Sequence, residues 1–209
     1  MINEIKGAIL ILSGPSGCGK STLLKEVYKE ISDYYFSIST TTRDIREGEK
    51  EGVDYHYVQK EEFLEDIKDG HFLEWAEVHG NYYGTSLKPI KKALEEGKLV
   101  IFDIDVQGHE IVRKKLDSIV TSVFVTTPDL KVLEDRLTSR KTDSSEVIAK
   151  RLDNAKHEIK HFHKYDYFII NDDLKKASKL MVSIANIARI KSKLFSKEEV
   201  PKIWLGKED

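Results

Sequence analysis

The stretch ILILSGPSGCGKST at residues 9–22 restricts the architecture more than any other part of the chain. GAILILS at 7–13 is a continuous apolar run, as expected of a strand buried on both faces of a parallel sheet. GKSTLLKEVYKEI at 19–31 places Leu23, Leu24, Val27 and Ile31 on one helical face. Between them, Gly14-Pro15-Ser16-Gly17-Cys18-Gly19-Lys20-Ser21 has the spacing G-x-x-x-x-G-K-S. Glycines allow successive backbone N–H groups to turn inward onto phosphate oxygens, and a helix starting there adds the positive end of its dipole. Lys20 then reaches the β- and γ-phosphates, and Ser21 offers its hydroxyl to Mg²⁺. The expected ATP-binding set is Gly14, Pro15, Ser16, Gly17, Cys18, Gly19, Lys20, Ser21 and Thr22. Cys18, at a helix N-terminus beside Lys20, is expected to have a lowered pKa.

The remainder alternates strand and helix patterns. LVIFDID (99–105), SIVTSVFVTT (118–127) and YDYFIIND (165–172) read as core strands. KEEFLEDIKDG (60–70), SLKPIKKALEEGK (86–98), SEVIAKRLDNAKHEIKHF (145–162) and a long segment from Leu174 read as helices. Thr127-Pro128-Asp129 reads as a capped helix start, and Asp143 with Glu146 as a capping box. This alternation implies an α/β fold with a parallel sheet flanked by helices. Two polar, arginine-bearing stretches break the rhythm. The expected organisation is therefore a phosphate-binding-loop core (1–34 and 89–209), an insert (35–88) and a small mobile lid (137–150).

The net charge of −2 argues against a general nucleic-acid or anionic-membrane partner. The single cysteine excludes an intrachain disulfide, and no apolar run is long enough for a bilayer. A cytoplasmic enzyme, monomeric or a small homo-oligomer, is the expectation. DVQG at 105–108 fits a GTPase switch, but no N-K-x-D occurs to read guanine in that way. Transfer to a nucleoside monophosphate calls for arginines beyond the loop lysine, some for the acceptor phosphate and some on a closing lid. Arg43 and Arg46 stand with Tyr55 in STTTRDIREGEKEGVDY. Arg136 and Arg140 lie four apart, and Arg151 follows on the next helix. Any one of these alone reads as a solvated surface charge; the ordered set after a phosphate-binding loop does not.

ILSGPSGCGKSTL, STTTRDIREGEKEGVDYHYV, FLEWAEVHGNYYGTS, VIFDIDVQG, the arginine-bearing lid and FIINDD together make the chain resemble the guanylate kinases, over about residues 8–173. The resemblance implies GMP contacts at Ser39, Arg43, Arg46, Tyr55, Glu74, Tyr83, Thr85 and Asp105. It implies catalytic roles for Lys20, Arg43, Arg136, Arg140 and Arg151, and puts Asn171 near the adenine of ATP. Glu74 can accept from guanine N1–H and the N2 amine together, whereas adenine would leave it unpaired. Trp75, its neighbour on the opposite face, is expected in the core. Asp103 and Asp105, two apart on a strand, are expected on one side, with Asp103 near Mg²⁺ through water. No residue reads the ribose 2′ position, so dGMP is expected as a second acceptor.

Two residues depart from the family pattern: Ile45 stands where proline is usual and Lys141 where glycine is usual. His157, His161 and His163 lie close together, but with no third-ligand pattern they read as a solvated face. A guanylate-kinase-like binding module, which would be expected to have lost part of the loop, and a kinase for another monophosphate are the remaining alternatives.

Overall fold

The computed structural model describes residues 7–78, 80–139 and 143–206. In chain order the elements are β1 (Ala8–Ser13), α1 (Lys20–Glu30), β2 (Tyr34–Phe36), β3 (Thr40–Thr41), β4 (His56–Tyr57) and α2 (Lys60–Lys68). Then come β5 (Phe72–Val78), β6 (Asn81–Ser86), α3 (Leu87–Glu95), β7 (Leu99–Asp103), α4 (Val106–Leu116) and β8 (Val120–Thr126). The chain ends with α5 (Leu130–Ser139), α6 (Ser145–Glu158), β9 (Tyr167–Ile170), α7 (Leu174–Ala188) and α8 (Glu199–Leu205).

Five strands form a parallel sheet in the order β2-β7-β1-β8-β9. The apolar run of β1 is divided by the pleat. Ala8, Leu10 and Leu12 join one core cluster with Leu23, Leu24 and Val27 of α1 and Ala177, Met181 and Ala185 of α7. Ile9 and Ile11 face the other way, into a cluster with Ile90 of α3 and Val112 of α4. β7 splits likewise, with Leu99 and Ile101 on the first side and Val100 and Phe102 on the second. A strand with helices on both faces has no polar side to show, which is why these runs do not alternate.

The stretch YFSISTTTR at 35–43 and the residue before it serve two sheets. Tyr34–Phe36 pairs with β7, and Ser37 N–H still bonds Ile101 O at 2.9 Å. The chain then leaves, and Thr40–Thr41 enters a four-stranded sheet, β4-β3-β6-β5. In that sheet β3 runs parallel to β4 and antiparallel to β6, and β5 and β6 form a hairpin. Phe63 of α2 stacks on Phe72 at 4.2 Å and closes one side of it.

Both anticipated helix caps move. The Asp129 carboxylate accepts from Val132 N–H at 2.8 Å, while the Thr127 hydroxyl donates to Asp129 O, so the helix starts after Asp129. Ser144, not Asp143, caps α6, accepting from Val147 N–H. Asp143 is drawn instead toward Arg151 at 3.5 Å. Trp204 in α8 is 81% exposed, so the tail does not bury it on the core.

Candidate active site

The loop between β1 and α1 holds Gly14, Gly17 and Gly19 at φ of 137°, 96° and 101°. A Cβ on Gly14 would lie 1.9 Å from Val125 O, and one on Gly19 2.3 Å from Asn171 Nδ2. Glycine is therefore required there by both backbone angle and space. Gly19 caps α1 without a side chain, and no acidic residue stands in the first turn. The orphan amides of that turn and the helix dipole thus remain available to an anion.

A cavity of about 360 Å³ opens over this loop, lined by Gly14, Ser16, Gly17, Gly19, Lys20, Ser21, Thr22, Asp103, Ile104, Asp105 and Glu158. Lys20 Nζ donates to Gly14 O at 2.6 Å and lies 3.6 Å from Asp103 Oδ1. Burial pushes the Asp103 carboxyl above its ordinary range, against the pull of Lys20. β7 ends at Asp103, so the two aspartates do not share one strand. Asp105 caps α4, accepting from Gln107 and Gly108 N–H at 3.0 and 2.8 Å. Both still line the cavity.

Cys18 is turned away from the cavity. Its side chain is fully buried in the α1–α7 core, and desolvation raises its pKa despite the neighbouring Lys20. The expected lowering is overturned, because burial penalises the thiolate more than the helix end favours it. Pro15 O accepts from Cys18 N–H at 3.1 Å, tightening the loop. Cys18 O accepts from Asn171 Nδ2 at 2.8 Å and from Arg136 at 3.4 Å, and Arg136 also bonds Asn171 O at 2.7 Å. Arg151 donates to Ser16 Oγ. Arg136 and Arg151 thus both reach the loop, one from α5 and one from α6. Arg140 and Lys141 lie outside the described residues.

The small sheet gathers a second set. Thr85 Oγ1 donates to Glu74 Oε1 at 2.6 Å. Arg43 sits over the rings of Tyr55 and Tyr57 at 5.5 and 5.8 Å, and the Tyr83 ring lies 6.0 Å from that of Tyr55. Arg46 and Ser39 are exposed; the Arg46 N–H bonds Glu49 at 2.8 Å, and Ser39 O accepts from His56 N–H. Trp75 is not core: it is 46% exposed and leans on Tyr82. Trp75, Ala76 and Glu77 are all exposed, so this end of β5 is solvated on both faces.

Two residues that sequence reasoning missed matter here. Glu49 holds Arg43 at 2.7 and 2.9 Å and accepts from Tyr57 OH at 2.8 Å. Its carboxyl is lowered to about 2, first by the Arg43 hydrogen bond and then by the Arg46 N–H. Glu158 lines the loop cavity with one buried oxygen lacking a partner among the described residues, and burial raises its pKa. Its position seven residues after Arg151, two turns along one helix, was the available signal. Of the residues matched to GMP contacts, only Asp105 lines the cavity over the loop.

A strand–glycine loop–helix with an open anion site, beside a small sheet presenting a carboxylate and a guanidinium, defines a phosphate-binding-loop α/β protein of the nucleotide-kinase class. The sequence model of the guanylate kinase family matches residues 6–186. Guanylate kinase of Sulfurimonas denitrificans is 56% identical over 190 residues, 91% of this chain and 92% of that one. Guanylate kinase of Wolinella succinogenes is 53% identical over 203 residues, 97% of this chain and 94% of its own. The crystal structure of guanylate kinase from Anaplasma phagocytophilum aligns with a TM-score of 0.70 at 32% identity, covering 99% of both chains. The chain belongs to the guanylate kinase family.

Proposed function

We propose that the chain transfers the γ-phosphoryl group of ATP to GMP, giving ADP and GDP, with dGMP as a second acceptor. The observation that carries this reading is that the small sheet holds Glu74, fixed by Thr85, together with Arg43 over Tyr55. One end suits a guanine edge and the other a 5′-phosphate. ATP phosphates lie along Gly14–Thr22, where Lys20 exchanges Gly14 O for a phosphate oxygen. Arg136, Arg140 and Arg151 neutralise charge that develops during transfer. Arg43, Arg46, Tyr55 and Tyr83 hold the GMP phosphate, with Ser39 and Asp105 as further polar contacts. The acceptor is already an anion at neutral pH, so no general base is needed.

Among the described residues no group of three or more His, Cys, Asp or Glu could cage a metal ion. That fits Mg²⁺, which keeps most of its waters and takes few protein ligands beside phosphate oxygens. Ser21 would hold it directly and Asp103 through water. Bound there, it supplies positive charge between the phosphates.

The insert at 35–88 and the lid at 137–150 are read as parts that close over the core, since transfer requires the acceptor phosphate in line with the γ-phosphoryl group and water excluded. No helix of the described residues is long and apolar enough to cross a membrane. With a single cysteine, a cytoplasmic monomer or small homo-oligomer is the reading. The test is ADP formation from Mg-ATP with GMP, AMP, CMP and UMP offered separately. Turnover with GMP alone is expected. Turnover with none, or with AMP, overturns the proposal.

A further inference from the structure

Asn171 lies beneath the phosphate-binding loop, at the end of β9, and is 4% exposed. Its N–H bonds Thr126 O at 2.7 Å, its carbonyl accepts from Arg136 at 2.7 Å, and its Nδ2 donates to Cys18 O at 2.8 Å. Which side-chain atom faces Cys18 O is fixed by chemistry, because two oxygens would repel. The peptide joining Cys18 to Gly19 is trans, as are all those described. In a trans peptide the C=O and the following N–H point in opposite directions. Holding Cys18 O down toward Asn171 therefore turns the Gly19 N–H away from Asn171. Gly19 lines the cavity, and its N–H has no acceptor among the described residues.

We infer that Asn171 is a positioning residue of the phosphate-binding loop, fixing the Cys18–Gly19 peptide so that the Gly19 N–H is aimed at a nucleotide phosphate. The inference rests on the proposed ATP site and adds to it a part that does not touch ATP. The loop needs such a fastening because of its own composition. Glycine at position 19 allows the left-handed backbone and, equally, allows the neighbouring peptide to turn over at little cost. Turned over, the peptide would present Cys18 O to the phosphates. Asn171 removes that alternative, and Arg136 supports it through its weaker 3.4 Å contact to the same oxygen. Asn171 thus acts on the phosphates through the loop, and the expectation of a direct adenine contact is not needed to account for it.

The experiment has two arms. In the first, calorimetry gives the dissociation constants of Mg-ATP and of GMP, each alone, for the unaltered chain, Asn171→Ala and Asn171→Asp. Loss of one buried hydrogen bond is expected to weaken Mg-ATP about tenfold in Asn171→Ala. The effect should be larger in Asn171→Asp, whose carboxylate cannot donate to Cys18 O, and GMP should be unchanged within about twofold in both. In the second arm, the ¹H–¹⁵N resonance of Gly19 is followed in the unaltered chain as Mg-ATP is added, and it is expected to move downfield. A silent Gly19 amide overturns the inference, as does equal weakening of ATP and GMP, or unchanged ATP affinity in both variants. If neither variant folds, the Gly19 resonance decides alone. Failure of the unaltered chain to phosphorylate GMP overturns the kinase reading, while ATP affinity and the Gly19 resonance still judge this one. A chain that binds no ATP overturns both.

Discussion

Thr85 Oγ1 donates to Glu74 Oε1 at 2.6 Å across the β5–β6 hairpin, leaving Glu74 Oε2 without a partner among the described residues. The pairing passes over an irregularity in the hairpin register between Phe72 and Trp75, which lets Glu74 and Thr85 face one another. One oxygen is thus fixed and the other is available to a donor pair such as guanine N1–H and N2. Glu74→Ala is expected to raise KM for GMP by roughly 10- to 100-fold, in the range of a hydrogen bond to a charged group. Thr85→Val should raise it by less, about threefold, with KM for ATP steady in both. Steady-state kinetics with each substrate varied in turn checks this; an ATP effect as large as the GMP effect would refute the assignment.

The glycines separate into costs of different origin. Gly14→Ala would place a Cβ 1.9 Å from Val125 O, a backbone atom of a central strand that cannot yield. Gly48 has a φ of 87° but nothing within 4 Å of an added Cβ. Gly48→Ala should therefore lose only the left-handed strain, about 1–2 kcal/mol. Gly14→Ala should lose several times that, or fail to fold. Urea denaturation of the two variants provides the comparison, and equal losses would show that the close approach of β8 to the loop is absent in solution.

Arg43 and Glu49 make a second measurable pair. With its folded pKa lowered to about 2 from an ordinary 4.5, Glu49 contributes stability that is fully present above pH 4.5 and is lost as pH falls through 2. A carboxyl ¹³C titration of Glu49 is expected to show a midpoint near 2. GMP should raise that midpoint, because its phosphate competes for the same guanidinium. An unperturbed midpoint near 4.5 without GMP would show that the pair does not persist in water.

His109 works in the same sense, in a higher pH window. It is 2% exposed, stacked on Tyr165 at 3.9 Å, and neither ring nitrogen has a partner among the described residues. Burial, then the Arg113 charge, lower its pKa to about 4; Asp166 and Glu110 oppose this, and Lys164 adds to it. The unfolded chain thus binds the proton more readily, so stability from this site is intact above about pH 6.5 and falls as pH drops toward 4. His109→Phe should keep the stack and flatten thermal stability across that window. An unchanged slope would assign it to the carboxylates instead.

The sequence made the parallel core legible because β1 and β7 are near-continuous apolar runs, as a sheet covered on both faces produces. The phosphate-binding loop was legible for a similar reason: glycine spacing is a backbone requirement and shows directly in the residues. The small sheet was harder to read. β3 and β4 are two residues each, too short for any period, and Tyr34–Thr41 changes sheets without a glycine or proline to mark it. Trp75 was misread because residue size says nothing about which part of a hairpin is covered. Glu49 and Glu158 carry no motif; they matter only through what the fold places beside them.

Arg151 tests how the lid side communicates with the loop. It lies on α6, donates to Ser16 Oγ, and is 3.5 Å from Asp143 within the lid stretch. One guanidinium therefore joins the loop to the segment that leads into α6. Ser16 is a neutral partner, so a phosphate oxygen arriving in the cavity would displace it with a stronger, charge-assisted bond. If that exchange is made mainly as charge builds on the transferring group, Arg151→Met should lower kcat by about 10²-fold or more, the usual scale for removing one such group. KM for ATP should change by less than about fivefold. Ser16→Ala should leave both nearly unchanged, since its hydroxyl is only the resting partner. A variant that raised KM for ATP and kept kcat would mean that Arg151 holds the ground-state nucleotide and does not act on the transfer itself.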